Sequence, residues 1–142
     1  MSTMYQELAV DVLARTIWGE ARNEGTRGME AVACVVQNRI EIARRRGGYW
    51  WGNDVIQVCQ KPFQFSCWNA NDPNRPKLIA VTDRNIHFAT CLRIARRVVY
   101  GCIADITGGA THYHTLTVAP YWSEGKDPTV IIGHHIFFKL EG

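Results

Sequence analysis

Residues 16–40 read TIWGEARNEGTRGMEAVACVVQNRI, and this stretch decides the fold. Two apolar, helix-periodic segments meet at a break made of NEGTRG, and two glutamates, Glu20 and Glu24, stand at the seam. Upstream, Leu13, Ile17 and Glu20 recur at helical spacing, which predicts a helix over residues 5–21. Glu20 follows Leu13 by seven positions, so a helix aims both within about 20° of one direction, toward the core side. Downstream, Met29, Val32, Val36, Ile40 and Ala43 share a face and predict a second helix over residues 28–45. The two carboxylates therefore sit at the corner of a helical hairpin. Glu24 suits the second helix's N-terminus, where the dipole favours an anion.

Working outward, a third helix is expected over residues 83–100, with Thr82 or Asp83 as N-cap, Phe88, Leu92, Ala95 and Val99 as its stripe, and Gly101 as terminator. Residues 47–81, rich in Gly, Pro, Asn and Trp, are expected to form a long loop with short elements of its own. After Gly101 the segments GGATHYHTLTV and PTVIIGHHIFFKL alternate β-branched and aromatic residues between turn signals, which predicts two or three short strands. The fold class is α+β, mainly helical, with a small antiparallel sheet in the C-terminal third.

Composition agrees with one globular domain over residues 1–142: 46% of residues are hydrophobic and 20% charged, which argues against disorder or a fibrous repeat. The N-terminus lacks the basic and apolar regions of an export signal, and no run approaches the roughly 18 apolar residues of a membrane span, so synthesis in the cytoplasm without stable membrane insertion is expected. The five cysteines have no CxxC spacing and lie largely in apolar runs, which suits buried thiols; a Cys59–Cys67 bridge is the alternative. The net charge of +3 suits a polyanionic partner, but ARRRGG and RIARRVV read as solvated helix faces, and no nucleic-acid partner is expected.

Three chemistries are open on residue types alone. A half-buried Glu20, its pKa raised by desolvation, would serve as a general acid for glycosidic cleavage; the structural alternative is a carboxylate paired with Arg39. Trp50, Trp51, Trp68, Trp122, Tyr113 and Tyr121 offer faces for sugar rings, some of them being core residues instead, and Gln64, Asn69 and Asn71 offer amides for hydroxyl and acetamido groups. Gln64, between Phe63 and Phe65, should be partly buried and hydrogen-bonded. His112, His114, His134 and His135 raise a zinc site as a rival, although no HExxH is present. A Cys/His nucleophilic pair on Cys34 or Cys67 is the weakest option.

The segments TIWGEARNEGTRGMEAVACVVQNRI, VCQKPFQFSCWN, ITGGATHYHT, PYW and IIGHHIFFKL, in this order, resemble the SleB-like cell-wall hydrolases, a family of spore-cortex-lytic enzymes also found in phages and prophages. The resemblance spans residues 13–138 and implies a lysozyme-like α+β fold related to lytic transglycosylases. It implies cleavage of the bond between N-acetylmuramic acid and N-acetylglucosamine in peptidoglycan, giving a 1,6-anhydro end, with Glu20 as the catalytic acid. Gln64, Phe65 and Ser66 and the segment that includes His112, Tyr113 and His114 would line the substrate groove, with Glu24, Trp68 and Trp122 as further substrate contacts. The partner implied is the peptidoglycan glycan strand, with no cofactor or metal. As a bare catalytic domain the chain suits a phage or prophage endolysin that reaches the wall after release or delivery. The alternatives are a zinc-dependent N-acetylmuramoyl-L-alanine amidase, a muramidase-type hydrolase giving a reducing end, and a non-catalytic wall-binding or virion protein.

Overall fold

The computed structural model describes residues 3–62, 64–101 and 103–141. Helix α1, Met4–Ala21, opens on a capping box: the Thr3 hydroxyl accepts from the Gln6 amide at 3.1 Å, and the Gln6 side chain accepts from the Thr3 amide at 3.0 Å. Helix α2, Gly25–Arg45, starts three residues before the predicted Gly28. The reason lies in two glycines. Gly25 has φ +74° and turns the chain, while a Cβ on Gly28 would meet the Glu24 Cβ at 2.4 Å. Of the predicted stripe on α2, Met29, Val32, Val36 and Ala43 are buried and Ile40 is half-buried.

Residues 47–81 hold three short elements: α3, Val55–Gln60; a 3-10 turn, Ser66–Trp68; and α4, Arg75–Ala80. Long-range side-chain bonds fix Trp51, α4 and the 3-10 turn in this segment. The Trp51 indole is fully buried and donates to the Arg39 carbonyl at 3.0 Å. Arg15 on α1 donates to the carbonyls of Leu78, Ile79 and Val81, satisfying the open C-terminal end of α4. Trp68 donates to the Thr16 hydroxyl at 2.8 Å. Helix α5, Ile86–Tyr100, begins later than the predicted residue 83, because Asn85 and not Thr82 or Asp83 is its cap: Asn85 Oδ1 accepts from the amides of His87 and Phe88. Helices α1, α2, α3 and α5 close around one apolar core.

The strands are β1, His112–Thr115; β2, Val130–Ile132; and β3, His135–Phe138, antiparallel in the order β1-β3-β2. Register pairs Tyr113 with Phe137 and His114 with Ile136. Three consecutive residues of α2 dock the chain that leads into β1: Gln37 donates to the Ile103 carbonyl at 2.9 Å, Asn38 to that of Ala110 at 2.9 Å, and Arg39 to that of Thr111 at 2.8 Å. The sheet is thereby held against the middle of α2, where Ala31 and Val35 pack on Ile132 and Phe137. Cys34, Cys59, Cys67 and Cys91 are buried free thiols, so the Cys59–Cys67 bridge weighed from sequence is not formed. Cys102 and Phe63 lie outside the described residues. No described helix is long and apolar enough to cross a membrane.

Candidate active site

The last turn of α1 carries Gly19 and Glu20 to the edge of the core. A Cβ on Gly19 would lie 2.7 Å from the Cys67 Cβ and 2.9 Å from its Sγ, so the bare glycine is what lets the Ser66–Trp68 turn close onto the helix. That closure puts the amide and thiol of Cys67 against the Glu20 carboxyl. From the opposite side comes Tyr113. Alternation along β1 sends His112 and His114 to the face that bears Trp122, at ring distances of 5.3 and 5.6 Å, and sends Tyr113 between His135 and Phe137 toward α1. Its phenol donates to Glu20 Oε1 at 2.5 Å.

Glu20 makes no ion pair within 4.0 Å among the described residues, and the pairing with Arg39 weighed from sequence does not form. Burial pushes its carboxyl above the usual carboxylate range, and the hydrogen bonds from Tyr113 and Cys67 only partly oppose this. Burial and the neighbouring Glu20 together hold the Tyr113 phenol well above its ordinary value, so it stays a donor. His112 is pushed down to about 4, by burial and then by the Arg39 charge, and is neutral near pH 7.

A cleft of about 430 Å³ opens over this carboxyl, lined by Glu20, Arg39, Trp50, Gln64, Phe65, His112, Tyr113, Tyr121 and Trp122. A second hollow of about 230 Å³ adjoins Glu20 on the other side, lined by residues 19–24 with Asn74, Thr115, His134 and His135. Glu20 thus stands where two hollows meet. Glu24 lines the second and is occupied: its carboxylate accepts from the backbone amide and the ring Nδ1 of His134 at 2.7 and 2.8 Å. Burial alone would raise its pKa, but these two bonds hold it below the usual range. Glu24 caps no helix amide with its side chain; it ties the hairpin corner to the Gly133–His134 turn.

Of the other predicted groove residues, Gln64, Phe65, His112, Tyr113 and Trp122 line the main cleft. Ser66 is exposed beside it, His114 stacks on Phe138 outside it, and Trp68 lines a separate hollow with Asn69 and Asn71. Among the described residues no group of three or more His, Cys, Asp or Glu side chains is arranged to hold a metal ion. Neither the place of Arg39 in the cleft lining nor the role of Gly19 has a local sequence signal; the tightness of WGE against a distant turn is a contact that no local pattern carries.

A family model described as Cell Wall Hydrolase matches residues 23–138. The chain belongs to this family. The matched span begins three residues past Glu20, so the case for that carboxyl rests on geometry. A curated spore cortex-lytic enzyme of Halalkalibacterium halodurans is 29% identical over 136 residues, covering 94% of this chain and 35% of that protein, so the chain spans about a third of its relative's length. Two solved structures share the fold. The catalytic domain of the germination-specific lytic transglycosylase SleB from Bacillus anthracis superposes with a TM-score of 0.72 at 26% identity, covering 98% of this chain and all of that one. The catalytic domain of the Bacillus cereus SleB protein gives 0.71 at 26% identity, covering 94% and 91%. The cell-wall hydrolase fold is therefore of the SleB, lysozyme-like α+β type, as the resemblance implied.

Proposed function

We propose that this chain is a peptidoglycan lytic transglycosylase that cleaves between N-acetylmuramic acid and N-acetylglucosamine with Glu20 as its acid and base. The observation that carries the reading is a carboxyl on the floor of an aromatic-walled cleft, raised in pKa, bonded to a phenol and, among the described residues, the one carboxyl of the lining and without an ion pair. Glycosidases that work with two carboxyl groups flank the scissile bond with both. Here the described residues of the cleft lining include one, and Glu24 is engaged by His134 in the adjoining hollow.

A single carboxyl suffices if the substrate supplies the nucleophile. Protonated Glu20 gives its proton to the glycosidic oxygen as the bond from C1 to that oxygen breaks. The resulting carboxylate takes the proton of the muramic 6-hydroxyl as its oxygen closes onto C1, which yields a 1,6-anhydro end, restores the acid and consumes no water. The Tyr113 phenol bonds the carboxylate in the interval between the two transfers. Trp50, Tyr121 and Trp122 are the exposed or half-exposed faces against which sugar rings pack, and neutral His112 and Gln64 supply hydrogen bonds without a competing charge.

The finer reading, a phage or prophage endolysin acting on the wall after release, is supported by the net charge of +3, which favours approach to anionic envelope polymers. The chemistry is tested by mass spectrometry of fragments released from purified peptidoglycan. Anhydro-muramic ends are expected. Reducing muramic ends would replace the 6-hydroxyl by water, and freed peptides on intact glycan would move the chemistry away from Glu20. The endolysin reading expects lysis when the protein is produced together with a membrane-lesion protein and none when it is produced alone; lysis in both cases would contradict it.

A further inference from the structure

In the lining of the main cleft lies a nearly buried cation without a counter-ion among the described residues. Arg39 on α2 is only 6% exposed. Its Nε donates to the Thr111 carbonyl, its guanidinium lies 5.2 and 5.4 Å from the ring centroids of Trp51 and Phe65, and its Nη1 is buried with no hydrogen-bond partner. Among the described residues no carboxylate comes within 4.0 Å of it. One carbonyl and two aromatic faces offset part of the desolvation of a buried charge, and an orphaned donor adds to the cost. A negative charge arising nearby would offset the rest. Glu20 is the carboxyl that lines the same cleft.

We infer that Arg39 is a positioning charge for the reaction: from within the cleft wall it stabilises the carboxylate that Glu20 becomes once its proton has left for the glycosidic oxygen. The inference rests on the reading of Glu20 as the acid. Nη1 has no exposed surface, so this nitrogen does not itself grip substrate. The action is through space, in a medium where charges are weakly screened.

The groups that share this field are few. Glu20 is faced by Tyr113 from β1, by Cys67 from the 3-10 turn and by Asp72 just beyond it. Arg39 is faced by His112 and Tyr113 from β1, by Cys59 from α3 and by Glu20 from α1. Burial raises the Cys59 thiol to about 12 and keeps the Tyr113 phenol protonated, and His112 is neutral above about 4. Near neutral pH, Arg39 is therefore the positive charge of this set. Removing it makes the carboxylate form less favourable, so the Glu20 midpoint must rise.

The test is a carbon-NMR titration of the Glu20 carboxyl in wild type, Arg39→Gln and Arg39→Lys. The glutamine keeps an amide donor for the Thr111 carbonyl and loses the charge, whereas the lysine keeps the charge and loses the planar fork. The expected result is a Glu20 midpoint raised in Arg39→Gln and held near the wild-type value in Arg39→Lys. If Arg39→Gln does not fold, citrulline installed at position 39 by ligation keeps the shape and the Nε donor without charge, and must give the same rise. An unmoved midpoint in the neutral variant, or an equal shift in Arg39→Lys, would overturn the inference and leave Arg39 as an anchor for β1. Neither result touches the assignment of Glu20 as acid, which fails separately if Glu20→Gln still cleaves glycan.

Discussion

Gly19→Ala isolates the contact that builds the site. In an open helix the change would stabilise by about 1 kcal/mol, because glycine loses more backbone entropy on folding than alanine. At this position the new methyl would lie 2.7 Å from the Cys67 Cβ, 2.9 Å from its Sγ and 3.1 Å from Leu78 Cδ1. Carbon atoms pack best at about 3.5–4.0 Å, so the Ser66–Trp68 turn must retreat by about 1 Å. Overpacking of this kind costs about 1–3 kcal/mol, which outweighs or cancels the helix gain and leaves a net loss of up to about 2 kcal/mol. For a chain of this size, that lowers Tm by several degrees. Activity should suffer more than stability, because the retreat draws Cys67 away from Glu20 and strains the bond from Trp68 to Thr16. A misplacement of about 1 Å can cost on the order of a hundredfold in rate. Calorimetry and initial rates on purified peptidoglycan, run on the same preparations, measure both. A raised Tm with wild-type rates would mean that the turn does not press on Gly19.

Three further outcomes follow from the geometry. Tyr113→Phe keeps the ring between His135 and Phe137 but removes the donor to Glu20; a hydrogen bond to a charged group is worth about 1.5–3 kcal/mol, so the rate should fall about ten- to a hundredfold and the alkaline limb of the pH–rate profile should move up, while an unchanged rate would remove the phenol from the mechanism. His112 has its pKa lowered from 6.5 to about 4, so the unfolded chain binds the extra proton first; stability present above 6.5 is lost as pH falls through that window, and thermal melts of His112→Gln should show a shallower loss there than wild type. Trp50 is 52% exposed at the cleft wall, so Trp50→Ala should leave Tm unchanged and raise KM several-fold with kcat little affected; a fall in kcat alone would contradict a binding role.

Much of this was legible in the chain. The helical hairpin and the inward aim of Glu20 follow from spacing after Leu13, and the alternation of HYHT foretells that His112 and His114 share a face. What the sequence did not show depends on partners distant in the chain. Trp50 and Trp51 are adjacent and equivalent in type, yet Trp51 is fully buried because its indole reaches the Arg39 carbonyl. Residues 47–81 read as loop because elements of three to six residues are too short to show a period, and here α4 is pinned by Arg15 and the 3-10 turn by Thr16 of α1. The cap of α5 fell to Asn85 because Thr82 and Asp83 belong to the turn before it, where Asn85 N donates to the Thr82 carbonyl at 3.0 Å. Glu24 suits a helix N-terminus by position alone, and only the fold brings Gly133 and His134 to it.

The proposed mechanism turns on one carboxyl, and the most direct test is the release of soluble fragments from purified peptidoglycan by Glu20→Gln beside wild type, with equal Tm established first. The substitution keeps the shape and removes the transferable proton. Loss of a general acid that also serves as base should reduce the rate by about 10²–10⁴-fold or more. Fragment release at a rate near that of wild type would contradict the account and place the chemistry on other residues.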